Sequence, residues 1–111
     1  MYVFVKLGKK KMKTKVLTTF KDRIKGYRFH LQAINEGLCY PKKKSINTCF
    51  LCQRVDIVFT DKDYKILKIY RNVKTEKIFF PKRKAYYIFE FPAYSCSTLQ
   101  EGEILQVTEK K

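Results

Sequence analysis

The stretch Lys84-Ala85-Tyr86-Tyr87-Ile88-Phe89-Glu90-Phe91, stopped by Pro92, reads with a period of two. Ala85, Tyr87, Phe89 and Phe91 fall on one face and Lys84, Tyr86, Ile88 and Glu90 on the other, the alternation of a strand and not of a helix. The face carrying Phe89 and Phe91 is expected to be the core. Proline lacks the amide hydrogen a ladder needs, so Pro92 ends the strand.

Outward from this strand the same grammar continues. Downstream, Ala93 to Leu99 can form one or two helical turns, and Glu101-Gly102-Glu103 turns into a last strand, Ile104 to Thr108. Upstream, Ile46 to Leu51 and Val55 to Thr60 are apolar runs, and Asp61 to Lys65 is the turn into Ile66 to Val73. Leu38 to Tyr40 is a short strand, and Pro41 with Lys42, Lys43 and Lys44 is an exposed basic loop. At the start, Tyr2 to Leu7 and Met12 to Phe20 flank Gly8 and Lys9 to Lys11, which reads as a hairpin. Thr19 can cap a helix by accepting the Asp22 N–H, and Phe20, Ile24, Tyr27 and Leu31 follow at helical spacing, predicting a helix over Phe20 to Phe29. Gly26 inside that helix costs up to about 1 kcal/mol against alanine, so something is expected to pack close there.

The chain has 111 residues, 45% of them apolar and 15% aromatic, enough to fill one core and too many for a disordered polyelectrolyte. One domain is expected over 1–111, with 1–17 a basic hairpin and 18–108 the remainder. Its 25 Lys and Arg outnumber 10 Asp and Glu, giving a net charge of +15. Ten of those cations precede residue 31, against the lone Asp22. No apolar run reaches the ~20 residues of a membrane helix, and Met1 to Lys15 does not run in the order of a secretory signal, so a cytoplasmic location and reduced thiols are expected.

Few residues carry a chemical signal. Asp56 stands in an apolar strand, facing away from Val55, Ile57 and Phe59, and a carboxylate there must be paired or hydrogen-bonded. It is either a structural carboxylate held by backbone N–H groups or Arg23, or part of a ligand pocket with Asn47 and Thr48. Cys49 and Cys52 have a Cys-x-x-Cys spacing, but on a strand that spacing sends the two side chains to opposite faces; packed thiols are the favoured reading, and no metal or other cofactor is expected. His30 has no nucleophile pattern near it, and Asp61 and Asp63 lack the rest of a calcium loop. Lys9, Lys10, Lys11, Lys13 and Lys15, with Lys42, Lys43 and Lys44 and the run Lys82 to Lys84 near Tyr86, would form a polyanion-binding surface if they converge.

Asn47-Thr48-Cys49-Phe50-Leu51, then Val55 to Asp61, with Gly26 upstream and Glu36-Gly37-Leu38 between, resemble the domain of unknown function 192 family over about residues 18–107. The stretches that match are Arg23 to Arg28, Glu36 to Leu38, Thr48 to Leu51, Arg54 to Phe59 and Phe89 to Tyr94. The resemblance implies a mainly β fold, a small antiparallel β-sandwich or barrel of jelly-roll character with one or two short helices, and no settled activity. The expected function is a non-enzymatic accessory or ligand-binding domain with Arg23, Asn47, Thr48 and Asp56 at its site and an unknown small ligand or protein as partner. The alternative is nucleic-acid or other polyanion binding through the basic hairpin. A weaker third reading, a hydrolase with Asp56 as general base, needs Asp56 in an open cleft.

Overall fold

The computed structural model describes residues 1–79 and 84–109. The chain is mainly β. Its strands are β1 (Tyr2–Leu7), β2 (Lys10–Val16), β3 (Gly37–Pro41), β4 (Ile46–Asn47), β5 (Val55–Thr60), β6 (Ile66–Val73), β7 (Ile78–Phe79), β8 (Tyr87–Pro92) and β9 (Val107–Glu109), with one helix, α1 (Phe20–Lys25). Seven strands form one sheet in the order β6-β5-β8-β3-β2-β1-β9, and β4 pairs with β7 separately.

Two features of the sheet correct the expectation of an all-antiparallel sandwich or barrel. The sheet is open, ending at β6 and β9. It is also mixed: β2 and β3 run parallel, with Thr14 opposite Gly37 and Val16 opposite Cys39. A parallel pair needs a long crossover, and residues 17–36 with α1 supply it.

The core lies on both faces of the sheet, because β5, β8 and β3 are central strands covered twice. Phe89, Phe91, Val58 and Cys39 pack on one face with Val3, Val5 and Leu7 of β1. Ile57, Phe59, Ile88, Leu38 and Tyr40 pack on the other with Leu17 and Tyr27 from the crossover. The strand read as having one core face therefore has two: Ile88 and Glu90 are as buried as Phe89. The basic hairpin is no appendage, since β1 and β2 hold two of the seven places in the sheet.

The local signals that held were chemical. Thr19 caps α1 by accepting the Asp22 N–H at 3.2 Å. The helix stops at Lys25, not Phe29, because Gly26 takes φ +45° and closes it with an N–H to the Asp22 carbonyl. The reason lies across the crossover: a Cβ on Gly26 would stand 2.4 Å from the Tyr40 hydroxyl. Gly37 is constrained the same way, with a Cβ placed 2.7 Å from the Phe91 ring. Asp61 builds the expected turn, its Oδ1 accepting from the Asp63 and Lys65 N–H groups. The run Ile46 to Leu51 is a strand for only two residues, and Ala93 to Leu99 forms turns without a helix.

Candidate functional site

The crossover and the strands beneath it form an open cavity of about 290 Å³. Its floor is Tyr40 of β3 and Glu90 of β8, its apolar wall is Ile46, Leu51, Ile78 and Phe79, and Arg23, Arg28 and Lys43 lean over it. Each cation is half-buried. Arg23 donates through Nη2 to the Pro41 carbonyl. Arg28 donates through Nη1 to the Ile24 carbonyl and through Nη2 to Asn47 Oδ1 at 3.1 Å. Asn47 Oδ1 also accepts the Cys49 N–H, so this amide fixes both the guanidinium and the loop after β4. Among the described residues the sole ion pair is Lys68 with Glu101, so none of the three cations is neutralised by a carboxylate at ion-pair distance.

Glu90 is the cavity's single acid and is 2% exposed. Burial pushes its carboxyl up to about 7, against the pull of the Tyr40 hydrogen bond and of the charges on Arg28 and Lys43. Burial likewise lifts the Tyr40 phenol, with the Glu90 charge acting in the same direction. Lys43 is pushed down, first by burial and then by Arg23 and Arg28 beside it, with Glu90 opposing. Near neutral pH the floor can therefore be neutral while the rim stays cationic, which leaves a recess suited to an anion. Tyr27 closes the back of the cavity, its hydroxyl donating to the Glu36 carbonyl and lying 3.2 Å from that of Glu90.

Of the residues expected at a ligand site, Arg23 and Asn47 line this cavity, and Thr48 and Asp56 do not. Thr48 is fully buried; its hydroxyl donates to the Lys74 carbonyl and accepts the Lys77 N–H, both at 2.8 Å, which pins the segment before β7. Asp56 points to the opposite side of the sheet, and its oxygens accept the Asn72 N–H at 2.8 Å and the Cys96 N–H at 2.9 Å. It is fully enclosed, so the open cleft needed by a general base at Asp56 is missing. Its partners are these backbone N–H groups and the Cys96 thiol, and not Arg23.

The cysteines divide. Cys39 and Cys96 are buried, and burial raises each thiol to about 12. Cys49 is half-buried at the cavity and Cys52 is exposed, which corrects the expectation that this pair is packed away. The described residues contain no group of three His, Cys, Asp or Glu placed to hold a metal. His30 is exposed, and its carbonyl accepts from the Gln53 amide.

The lysines expected to act together come from different parts of the fold: Lys9 to Lys11 sit at the turn from β1 to β2, Lys13 and Lys15 on β2, and Lys42 to Lys44 after the end of β3. Lys11, Lys13 and Lys15 face outward across β1 from Lys6, Phe4 and Tyr2, and the Lys13 ammonium sits 4.4 Å from the centre of the Tyr2 ring. Lys43 belongs instead to the cavity. Lys82 and Arg83 lie outside the described residues.

Glu90, Tyr40, Tyr27 and Arg28 were missed by sequence reasoning. The signal for Glu90 was present, since a carboxylate inside Ile-Phe-Glu-Phe is the same anomaly that singled out Asp56.

No helix among the described residues is long and apolar enough to cross a membrane. No family model matches the chain, and no curated protein matches it. Two solved structures share its fold. One is a candidate transcription regulator from Sinorhizobium meliloti 1021, with TM-score 0.77 and 15% identity, covering 96% of this chain and 92% of that one. The other is a protein of unknown function from Novosphingobium aromaticivorans DSM 12444, with TM-score 0.76 and 16% identity, covering 95% and 83%. At these identities the likeness is one of fold.

Proposed function

We propose that this chain is a non-enzymatic ligand-binding domain of the domain of unknown function 192 family, a mainly β domain that holds a small anion with an apolar portion. One observation carries the ligand class: three half-buried cations lean over a cavity whose one acid is a buried carboxyl raised to about 7. The anionic group would sit under Arg23, Arg28 and Lys43, and the apolar portion against Ile46, Leu51 and Phe79. The family reading is supported by what the shared positions do here. Gly26 gives way to the Tyr40 hydroxyl, Gly37 to the Phe91 ring, Asp56 joins two backbone amides, and Pro92 closes the strand that carries Glu90. Titration of inorganic phosphate and of hexanoate by calorimetry tests the site. Hexanoate should bind more tightly, and Arg28→Gln should weaken both by about tenfold or more, the worth of one charge-assisted hydrogen bond. Absence of binding by either anion, or indifference to Arg28→Gln, would overturn the site.

The second reading, polyanion binding by the hairpin, is favoured by one observation: the outer face of β1 and β2 sets Tyr2 and Phe4 among Lys6, Lys11, Lys13 and Lys15. A labelled single strand bound at near-physiological salt, and weakened by Lys11→Gln with Lys13→Gln, would support it; binding that vanishes with salt and ignores those changes would remove it.

A further inference from the structure

We propose that the face surrounding the cavity mouth docks on an anionic lipid surface, with headgroup phosphates at its cations. Five large apolar side chains stand at that mouth or next to residues that line it, each between 50% and 79% exposed: Phe20, Ile24, Phe29, Phe50 and Ile78. They come from four separate segments. Phe20 and Ile24, on α1, line a cleft with Arg23, Arg28, Lys42 and Lys43, and Ile78 lines the cavity itself. Phe29 and Phe50 stack on each other with ring centres 5.5 Å apart.

Both rings sit on backbone in the left-handed region. Phe29 and Phe50 hold φ of +60° and +65°, a region bulky side chains rarely adopt. The loops are locked there by the Phe29 N–H donating to the Phe50 carbonyl at 3.0 Å and by the bridge between Arg28 and Leu51. Scattered surface leucines need no explanation, but five such side chains beside the three cations shared by the cavity and the cleft mark an interaction face.

The chemistry of this face selects the occupant. A second copy of this chain would bring like charges together at Arg23, Arg28, Lys42 and Lys43. A nucleic-acid strand could stack on the phenylalanines, yet Ile24 and Ile78 offer no ring and gain only by leaving water. A bilayer surface supplies both needs without shape complementarity: phosphates for the cations, and an interfacial apolar layer for side chains that project separately. The reading of the cavity as an anion site enters only in seating a phosphate; the docking itself stands on the exposed apolar side chains.

The experiment is co-sedimentation of the whole chain with vesicles of phosphatidylcholine alone and with about one third phosphatidylglycerol, at low and near-physiological salt. Partition to the anionic vesicles should persist at near-physiological salt and fall by about tenfold or more in Phe29→Ser with Phe50→Ser. Both rings are solvent-exposed, so the variant keeps its core, and an unchanged thermal melt verifies that. Lys9→Gln, Lys10→Gln and Lys11→Gln together should leave the salt-resistant partition in place. Failure to bind anionic vesicles, or binding that is lost with salt and indifferent to the two serines, overturns the proposal. Phosphate and hexanoate titrations run alongside separate the two readings: soluble-anion binding without vesicle binding sinks the docking face alone. Ring-dependent vesicle binding without soluble-anion binding sinks the cavity reading and sustains the docking.

Discussion

Replacing Glu90 by glutamine should stabilise the chain at alkaline pH and leave it nearly unchanged in acid. The folded chain holds the Glu90 proton up to about pH 7, whereas the carboxyl's unperturbed value is 4.5. A raised carboxyl contributes its full stability below the unfolded value and loses it as pH rises from 4.5 through 7. The gap of about 2.5 units, at ~1.36 kcal/mol each, makes the loss about 3 kcal/mol, complete near pH 8. Glutamine has no charge to bury and can still accept from the Tyr40 hydroxyl, so Glu90→Gln escapes that loss. For a chain of 111 residues, ~2.1 cal/mol/K per residue converts 3 kcal/mol into a gain in Tm of about 13 °C at pH 8.5, against little change at pH 4.5. Thermal melts of both proteins by circular dichroism across that range measure it. An equal offset at both ends of the range, or a variant less stable than the parent at pH 8.5, would refute the buried neutral acid and with it the cavity's electrostatics.

Asp56→Asn keeps the shape and replaces one acceptor by a donor facing a buried N–H, so at least one of the Asn72 and Cys96 amides loses its partner. The cost should be about 3 kcal/mol, a fall of roughly 13 °C in the melt with the fold's circular dichroism retained at low temperature; a fall under a few degrees would show that Asp56 does not hold β5 to the β6 and 93–99 segments. Thiol labelling of the native chain should modify Cys52 first and Cys49 next, while Cys39 and Cys96, buried and raised to about 12, react only on unfolding. Native labelling of all four at one rate would contradict the burial pattern.

The limits of β5 and β6 were legible because Val55 to Thr60 and Ile66 to Val73 are apolar runs separated by an aspartate turn, a local signal with a local cause. The cap at Thr19 and the tight approach at Gly26 were legible for the same reason. The double burial of β8 was not, since alternation between Phe89 and Glu90 says that two faces differ, and only the crossover from β2 to parallel β3 decides that both are covered. Asn47, Thr48 and Asp56 were grouped by a resemblance in sequence, and the pleat divides them: Asp56 and the neighbouring Ile57 point to opposite faces, and the cavity lies on the Ile57 face. The cavity's acid was visible as a type of residue and invisible as a site, because its partners Tyr40 and Arg28 lie 50 and 62 positions away.

The pairing of β1 with β9 joins Phe4 to Thr108 across almost the whole chain. During synthesis β1 and β2 are made well before β9, so the outer edge of β1 has no hydrogen-bonding partner in this sheet until β9 emerges. A strand bearing Val3, Val5 and Leu7 and left open for so long is a template for pairing between nascent chains. Lys6 on that strand and Lys9 to Lys11 at its turn set like charges against any second copy that approaches. On this view the charge of the hairpin guards the growing chain, whatever the finished domain binds.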